Sequence, residues 1–266
     1  MRGLIPALKN RKLVKVIKRR DKIRIPVPED FVRRLEGRKI IRLERRAKYL
    51  RFYLDSDDVI ICHLGMSGKF IVSDKNEVPY AKHDHIIFET DDKKQIIYND
   101  PRRFGLMTIC TVDELDHHKL FSDMAVEPLG NEFSGVYLRE KIKAKKVSIK
   151  AALLDQKVVV GLGNIYVCEA LSKARISPLR KACDISADET EILVPIIREI
   201  LLNAIEAGGS SLKDFAGANG DLGYFQHQFV TYGREGEKCV NKECGGIITR
   251  INQGGRSTFY CPGCQK

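Results

Sequence analysis

The sequence contains no long hydrophobic run, and this absence argues against one class of protein. None of its 266 residues falls in an apolar stretch long enough to cross a bilayer, which takes roughly 20 residues. The basic start, MRGLIPALKNRKLVKVIKRR, also lacks the apolar core of a signal peptide. There is no internal repeat and no low-complexity tract. We therefore expect a cytoplasmic protein without a membrane partner.

Acidic residues are in deficit. Aspartate and glutamate number 35 against 46 lysines and arginines, which gives a formal net charge of +11. This surplus favours a polyanionic partner, with nucleic acid as the first candidate. A basic protein without such a partner would show the same surplus, so charge alone does not decide. The length predicts two folded domains with a small appended module.

The first part of the chain is predicted to be an antiparallel β-sandwich domain over residues 1–118. Short β-like runs follow one another there, separated by turn signals such as Asp57-Asp58 and Asp91-Asp92. A short helical stretch, DFVRRLEG, ends near Gly37 before the longest predicted strand. The runs are KLVKVIKRR, KIRIPV, KIIRLERRAKYLRFYL, DVIICHLG, KFIVSD, HIIFET, QIIYND and LMTICTV.

The pattern changes after Pro128, where apolar residues recur at helical spacing. We predict a helical domain over 119–229 and therefore an α+β fold class. Gly208-Gly209 should end the last helix, and the glycine-rich segment after it should be a mobile loop. The helical segments are YLREKIKAKKVSIKAALLDQK, NIYVCEALSKARI and DETEILVPIIREILLNAIEAG.

Four of the eight cysteines stand alone in apolar or helical surroundings. They are predicted to be reduced, structural thiols rather than halves of disulfides. These residues are Cys62, Cys110, Cys168 and Cys183.

The other four cysteines, Cys239, Cys244, Cys261 and Cys264, form a C-x4-C and C-x2-C pattern near the end of the chain. This spacing predicts a zinc ribbon over 230–266, in which two knuckles hold one tetrahedral zinc ion. Four protein ligands leave no open position, so the zinc should be structural. Four reduced thiols without metal are the alternative.

The segment between the cysteine pairs, GGIITRINQGGRSTFYC, is predicted to be a β-hairpin. Arg256 lies next to its glycine tip, where a cation could reach a phosphate or a reacting sugar. From this position alone, Arg256 would be assigned as a solvated turn residue.

The motif GLGN is a second candidate anion site. Gly161 and Gly163 bracket a tight turn, and Asn164 is placed to cap the next helix. Free amides at a helix N-terminus with a nearby lysine bind phosphate without reading bases. A simple connector explains the motif equally well.

Taken in order along the chain, several motifs resemble the signatures of the formamidopyrimidine-DNA glycosylase (Fpg/Nei) family. They cover nearly the whole sequence, and DPRRFG favours this branch over the related endonuclease VIII enzymes. The first cysteine pair is spaced more widely than is common in the family. The motifs are RRAKYL, HLGMSG, KHDH, DPRRFG, VGLGNIYVCEAL, GSSLKDF, YGREG and GRSTFYCPGCQK.

The resemblance implies a bacterial, nucleoid-associated repair enzyme that acts as a monomer on damaged double-stranded DNA. Family members excise oxidised purines such as 8-oxoguanine and formamidopyrimidines, then cleave the abasic strand by β- and δ-elimination through an imine with the sugar. The damaged base must leave the stack for this chemistry. The resemblance also implies a helix-two-turn-helix domain.

The resemblance assigns site residues by position. Lys48 and Arg256 are catalytic, while Met66, Arg102 and Phe104 occupy the gap left by the flipped nucleotide. Without the family context, Met66 and Phe104 would be assigned to the core and Lys48 to a strand surface. The loop at 209–225 would cover the extruded base. The DNA contacts implied are His83, Arg102, Lys145, Lys150 and Asn164.

The resemblance also raises a question about the nucleophile. Family members begin Pro-Glu-Leu-Pro-Glu-Val after methionine removal, and the proline amine attacks the sugar with help from the glutamate. Here Met1 is followed by RGLIPAL, which resembles the end of the family's first helix, so we expect both catalytic groups to be missing. Pro6 lies within the segment and cannot supply a free amine.

This expectation keeps two rival functions open. A catalytically impaired or inactive protein that binds damaged DNA through the same fold is the first. A zinc-ribbon RNA- or ribosome-associated protein is the second, and it is disfavoured because RRAKYL, DPRRFG and GRSTFYC would then need independent explanations.

Overall fold

The computed structural model describes residues 1–74, 79–209 and 223–266. These form two compact units, one made of Met1–Ser122 and the other of Asp123–Gly209 with Tyr224–Lys266. Among the described residues, no helix is long and apolar enough to cross a membrane.

The first unit contains two four-stranded antiparallel sheets, with strand orders β1-β6-β7-β5 and β2-β3-β4-β8. This arrangement confirms the predicted antiparallel sandwich. The helices α1, α2 and α3 span Ile5–Leu8, Phe31–Leu35 and Val112–Leu115. The strands are β1 (Leu13–Lys18), β2 (Ile40–Arg46), β3 (Tyr49–Leu54), β4 (Asp58–His63), β5 (Lys69–Asp74), β6 (Asp84–Thr90), β7 (Lys94–Asn99) and β8 (Leu106–Thr111).

Alternating apolar side chains explain why this unit folds as a sandwich. Leu13, Phe52, Ile86 and Phe88 are fully buried in one cluster to which both sheets contribute. Burying such side chains is the main favourable term in folding, at about 25 cal/mol for each Å² removed from water. The sheets therefore hold the connecting loops on a well-packed support.

Two of the predicted β runs differ in the structure. KIIRLERRAKYLRFYL forms two strands, β2 and β3, because the chain reverses at Ala47, whose φ is 51°. KIRIPV forms no strand and makes only an isolated bridge between Lys22 and Pro26. Proline has no N–H to donate to a ladder, and two prolines, Pro26 and Pro28, fall here. Gly37 follows α2 with a φ of 81°, as expected for a helix stop.

The second unit is helical, with α4 (Gly135–Ile142), α5 (Ile149–Leu154), α6 (Asn164–Lys173) and α7 (Ala187–Glu206). The predicted run YLREKIKAKKVSIKAALLDQK is split because Ser148 starts a new helix by accepting a hydrogen bond from the Ala151 amide. Ser186 and Glu189 form a capping box at the start of α7. Gly208 and Gly209 end this helix with positive φ angles of 73° and 95°.

The predicted hairpin near the end of the chain is present as β9 (Thr249–Gln253) and β10 (Arg256–Tyr260). Gly254 and Gly255 form its two-residue loop, with φ values of 57° and 72°. Two successive left-handed residues give the type I′ turn that suits strand twist and favours glycine.

A buried carboxylate joins α6 to the chain that leads into this hairpin. Glu169 accepts hydrogen bonds from the backbone amides of Val230, Thr231 and Tyr232 at 2.8, 3.0 and 2.7 Å. Glu169 is only 3% exposed. The hairpin module is thereby tied to the helical core.

Candidate nucleic-acid interface

Two large apolar side chains of the first unit lie on its surface. Met66 is 65% exposed and Phe104 is 47% exposed. The alternative that both belong to the core is therefore wrong. The guanidinium carbon of Arg102 lies 4.6 Å from the centroid of the Phe104 ring. Arg102 and Phe104 thus form a cation–π pair at an exposed position.

A single buried carboxylate holds together the loops that carry these residues. The Ser67 hydroxyl donates to Asp100 Oδ1 at 2.7 Å, and the Gly105 amide donates to Asp100 Oδ2 at 2.8 Å. Asp100 is fully buried. Met66, Arg102 and Phe104, which are far apart in sequence, therefore project from one anchored pair of loops. The sequence reasoning gave Asp100 no role, although it opens the DPRRFG motif.

Glycine packing brings the same loops into backbone contact. A Cβ at Gly65 would lie 2.5 Å from the Gly105 nitrogen, and Gly65 also has a φ of 66°. A Cβ at Gly105 would overlap the Tyr98 hydroxyl and lie 2.5 Å from the His63 carbonyl oxygen. Any larger residue at either position would push the loops apart.

Lys48 lies in the turn between β2 and β3 and is exposed. Arg45 supports this turn through a 2.7 Å hydrogen bond from Nη1 to the carbonyl oxygen of Ala47. Lys48 is also close enough to His63 to contribute to a lower pKa of that imidazole.

His63 is a candidate site residue that the sequence reasoning missed. Burial, followed by the positive charges of Arg24 and Lys48, lowers the pKa of His63 to about 4. The Gly65 amide donates to His63 Nδ1 at 2.9 Å. A neutral imidazole with this acceptor carries its proton on Nε2. The HLGMSG motif was a signal for this position.

His83 is half-buried and lies next to the buried Asp100, whose backbone amide donates to the His83 carbonyl oxygen at 3.0 Å.

An open basic cleft of about 900 Å³ lies in the first unit. One acidic group that lines it, Asp84, accepts hydrogen bonds from the Ala81 amide and Asn99 Nδ2. The cations that line the cleft are Arg19, Arg20, Lys22, Arg24, Lys82, Arg102 and Arg103.

The four clustered cysteines of the second unit meet as predicted. Their sulfur atoms all lie within 4.8 Å of one another. The Sγ atoms of Cys239 and Cys264 are 3.7 Å apart, and those of Cys244 and Cys261 are 3.5 Å apart. Four converging thiols suit one tetrahedral, structural zinc ion. The other four cysteines form no disulfide.

Arg256 is exposed and is the first residue after the glycine loop of the hairpin. Lys145, by contrast, is paired: its Nζ lies 3.0 Å from Asp155 Oδ2, and its side chain is 34% exposed. Both cations lie at the protein surface, where an anionic ligand has access to them.

Lys150 differs from the expected surface contact with phosphate. The residue is 1% exposed, and its Nζ donates to Thr258 Oγ1 at 2.6 Å and to the Ser257 carbonyl oxygen at 3.2 Å. Burial, and to a smaller extent the positive charge of Arg256, lowers the pKa of Lys150. Its ammonium group is thus engaged inside the protein rather than displayed to solvent.

Asn164 also differs from the prediction. It is the first residue of α6, and Gly163 occupies the cap position that we assigned to Asn164. The side chain instead donates from Nδ2 to the Ser257 carbonyl oxygen at 2.9 Å. The backbone amides at this helix end remain a candidate phosphate site.

The loop assigned to the extruded base, 209–225, falls mostly on residues 210–222, which lie outside the described residues.

Three family models match the chain. Residues 1–107 match the formamidopyrimidine-DNA glycosylase N-terminal domain, residues 124–216 its H2TH domain, and residues 236–266 the zinc finger found in FPG and IleRS. The zinc-finger match agrees with the four-cysteine cluster, and we assign one structural zinc to Cys239, Cys244, Cys261 and Cys264.

Comparison with whole proteins gives the same result. The chain is 47% identical to the formamidopyrimidine-DNA glycosylase of Dinoroseobacter shibae, with 100% of this chain and 96% of that protein covered. It is 49% identical to the protein of that name from Phenylobacterium zucineum, with 99% and 96% covered.

Solved structures are similar over the same span. A mutant Lactococcus lactis FPG in complex with a Fapy-dG containing DNA has a TM-score of 0.91 at 33% identity, with 100% of this chain and 96% of that chain covered. The Lactococcus lactis Fpg in complex with an abasic site containing DNA has a TM-score of 0.89 at 34% identity, with the same coverage. The chain therefore belongs to the formamidopyrimidine-DNA glycosylase family.

Proposed function

We propose that this chain is a base-excision-repair DNA glycosylase and abasic-site lyase for oxidised purines, including 8-oxoguanine and formamidopyrimidines. It acts as a monomer on damaged duplex DNA in the bacterial cytoplasm, at the nucleoid. The observation that carries the proposal is the exposed group Met66, Arg102 and Phe104 on loops that share the buried Asp100. The Lactococcus lactis complexes with Fapy-dG and abasic-site DNA support this choice of substrate.

The three exposed side chains are suited to hold open a DNA duplex. Met66 and Phe104 are apolar wedges that can fill the space of an extruded nucleotide, and their burial on binding offsets part of the cost of unstacking. Arg102 brings hydrogen-bond donors that can pair with the orphaned base. Its contact with the Phe104 ring favours an arrangement in which the two side chains lie together.

The chemical step follows the family resemblance. Lys48, an exposed cation near the neutral His63, is proposed to assist proton transfer at the damaged sugar. Arg256 is proposed to promote δ-elimination by stabilising the departing phosphate. Pro6 lies within α1, and its nitrogen belongs to a peptide bond, so it does not serve as the imine-forming amine. The amines proposed to form the imine are those of Met1 and Lys48.

Binding to the sugar–phosphate backbone is proposed for two side chains, one helix end and a cleft lined by cations. Lys145, the N-terminus of α6, His83 and the basic cleft are the contributors. In this proposal residues 1–118 carry the extrusion residues, residues 119–229 grip the backbone and residues 230–266 carry Arg256. Contacts of this kind do not read the base sequence. Because they release counterions from the phosphates, the affinity for DNA should fall steeply with salt concentration.

Borohydride trapping tests the proposal. The protein is incubated with duplex DNA that holds 8-oxoguanine or an abasic site, borohydride is added, and covalent adducts are separated by denaturing electrophoresis. An adduct with damaged but not undamaged duplex would support a glycosylase and lyase, because only an imine is reduced to a stable bond. Tight binding of abasic duplex without an adduct would instead identify an inactive damaged-DNA-binding protein.

A further inference from the structure

The zinc hairpin is linked to the helices of the second unit by a chain of hydrogen bonds around Thr258. Lys150 Nζ donates to Thr258 Oγ1, and that hydroxyl donates to Gln253 Oε1 at 3.0 Å. Gln253 Nε2 then donates to the carbonyl oxygen of Pro178 at 3.1 Å. Gln253 and Arg256 are the two residues that close the glycine loop. The chain of bonds therefore holds both strands beside the loop.

A second link reaches the same strand from α6. Asn164 Nδ2 and Lys150 Nζ both donate to the carbonyl oxygen of Ser257, at 2.9 and 3.2 Å. Ser257 is adjacent to Arg256 in β10. Two helices thus determine the backbone position of the residue that follows Arg256.

Because Lys150 is buried, loss of its hydrogen-bond acceptors in β10 would be costly. A buried ammonium group is costly unless its protons are hydrogen-bonded, and two acceptors that the structure gives it, Ser257 and Thr258, belong to β10. Any displacement of β10 would therefore leave a buried charge without these acceptors. The hairpin is held in one place for that reason.

We propose that Lys150 and Asn164 are positioning residues that hold the hairpin so that Arg256 is presented in a fixed orientation, and that Lys150 does not itself contact DNA phosphate. The consequence for δ-elimination rests on the role proposed above for Arg256. The structural part, the hold on β10, does not depend on it.

Amide hydrogen exchange measures that hold directly and needs no catalysis. We expect Lys150→Met to accelerate exchange in residues 256–260 on the order of tenfold or more, since a buried hydrogen bond to a charged group is lost. Thr258→Val should do the same, and Thr258→Ser should restore slow exchange because it keeps the hydroxyl. Lys146→Met is the matched control, because it removes an exposed charge from the same segment.

Unchanged exchange of the hairpin in Thr258→Val would overturn the proposal, and this variant decides the matter if Lys150→Met does not fold. Zinc content, measured for every variant, separates a displaced hairpin from a lost metal site.

Two further measurements separate positioning from a direct phosphate contact. A phosphate ligand lost by Lys150→Met would lower the slope of log affinity against log salt by about 0.9; we expect no change in slope. We also expect Lys150→Met to lower the ratio of δ- to β-elimination product in the native background and not in Arg256→Ala. A lower salt slope, or equal effects in both backgrounds, would refute positioning.

Failure of the proposed function would give a different result. If Arg256→Ala leaves the product ratio unchanged, the role of Arg256 is lost while the hydrogen-exchange result still decides whether Lys150 holds the hairpin.

Discussion

The hydroxyl of Ser67 donates a 2.7 Å hydrogen bond to the buried carboxylate of Asp100, 33 residues further along the chain. This bond joins the loop of Met66 to the loop of Arg102 and Phe104. It lies beneath the exposed side chains rather than among them, so it can affect their placement without touching DNA.

Ser67→Ala should weaken binding to abasic duplex several-fold while leaving the affinity for undamaged duplex unchanged. The change leaves Asp100 Oδ1 buried without this donor, a cost of about 1–3 kcal/mol that the loops can relieve only by moving. Fluorescence anisotropy with a stable abasic analogue measures both affinities. Ser73→Ala is the control, because its buried hydroxyl has no hydrogen-bond partner among the described residues. Equal losses on both duplexes would contradict this role of the Ser67–Asp100 bond.

Met66→Ala and Phe104→Ala should each reduce the affinity for abasic duplex roughly tenfold, because each wedge loses apolar burial of about 1.5–3 kcal/mol.

Lys145→Ala should reduce the affinity for damaged and undamaged duplex alike, since a phosphate contact carries no information about the lesion. Titrations of both duplexes at several salt concentrations check the division. It fails if the wedge variants lose as much on undamaged DNA as on abasic DNA.

Metal analysis should find one tightly held zinc per chain, and Cys261→Ser should lose it. Cys261 is the most deeply buried of the four ligands, and the short module depends on the metal for its folding. The variant should show fast hydrogen exchange in β9 and β10. Cys183→Ser is the matched control, since Cys183 lies outside the cluster. Native protein without zinc would refute the assignment.

Arg256→Ala should spare initial binding and leave the β-elimination product to accumulate. The side chain is exposed and belongs to no core cluster, so the substitution should not disturb folding. Products from an abasic substrate are separated by denaturing electrophoresis. Arg250→Ala, which changes an exposed cation on the same hairpin, should keep the native ratio. An unaltered ratio in Arg256→Ala would remove the role given to Arg256.

His63 should make the first unit less stable as the pH falls from about 6.5 to about 4. The pKa of His63 is about 4 in the folded protein, whereas that of an ordinary histidine side chain is 6.5. The unfolded chain therefore binds the extra proton first as the pH falls. Stability therefore rises with pH across this window and levels off above it. Urea unfolding across these pH values should show a smaller slope for His63→Gln than for the native protein. His117→Gln, at an exposed histidine, should not reduce the slope.

The sequence predicted the parts of the molecule that depend on local patterns. Short β-like runs separated by turn signals predicted the sandwich, and the spacing of four cysteines with two adjacent glycines predicted the zinc hairpin. The reversal at Ala47 was missed because a non-glycine residue adopts the left-handed conformation there. The burial of Lys150 was missed because its partner Thr258 lies 108 residues away. No local pattern distinguishes a lysine that faces phosphate from one that a distant strand encloses.

The backbone contact between Gly65 and Gly105 has a thermodynamic consequence for recognition. The loops of Met66 and Phe104 are already packed together in the free protein. The conformational entropy lost in bringing them together is therefore part of the free energy of folding and not of DNA binding. The free energy of binding then contains mainly two terms. One is the cost of deforming the duplex, and the other is the gain from burying the exposed side chains of Met66 and Phe104. A lesion that weakens base stacking lowers the remaining cost. The rigid loops could thereby distinguish damaged from intact DNA by the ease with which each opens.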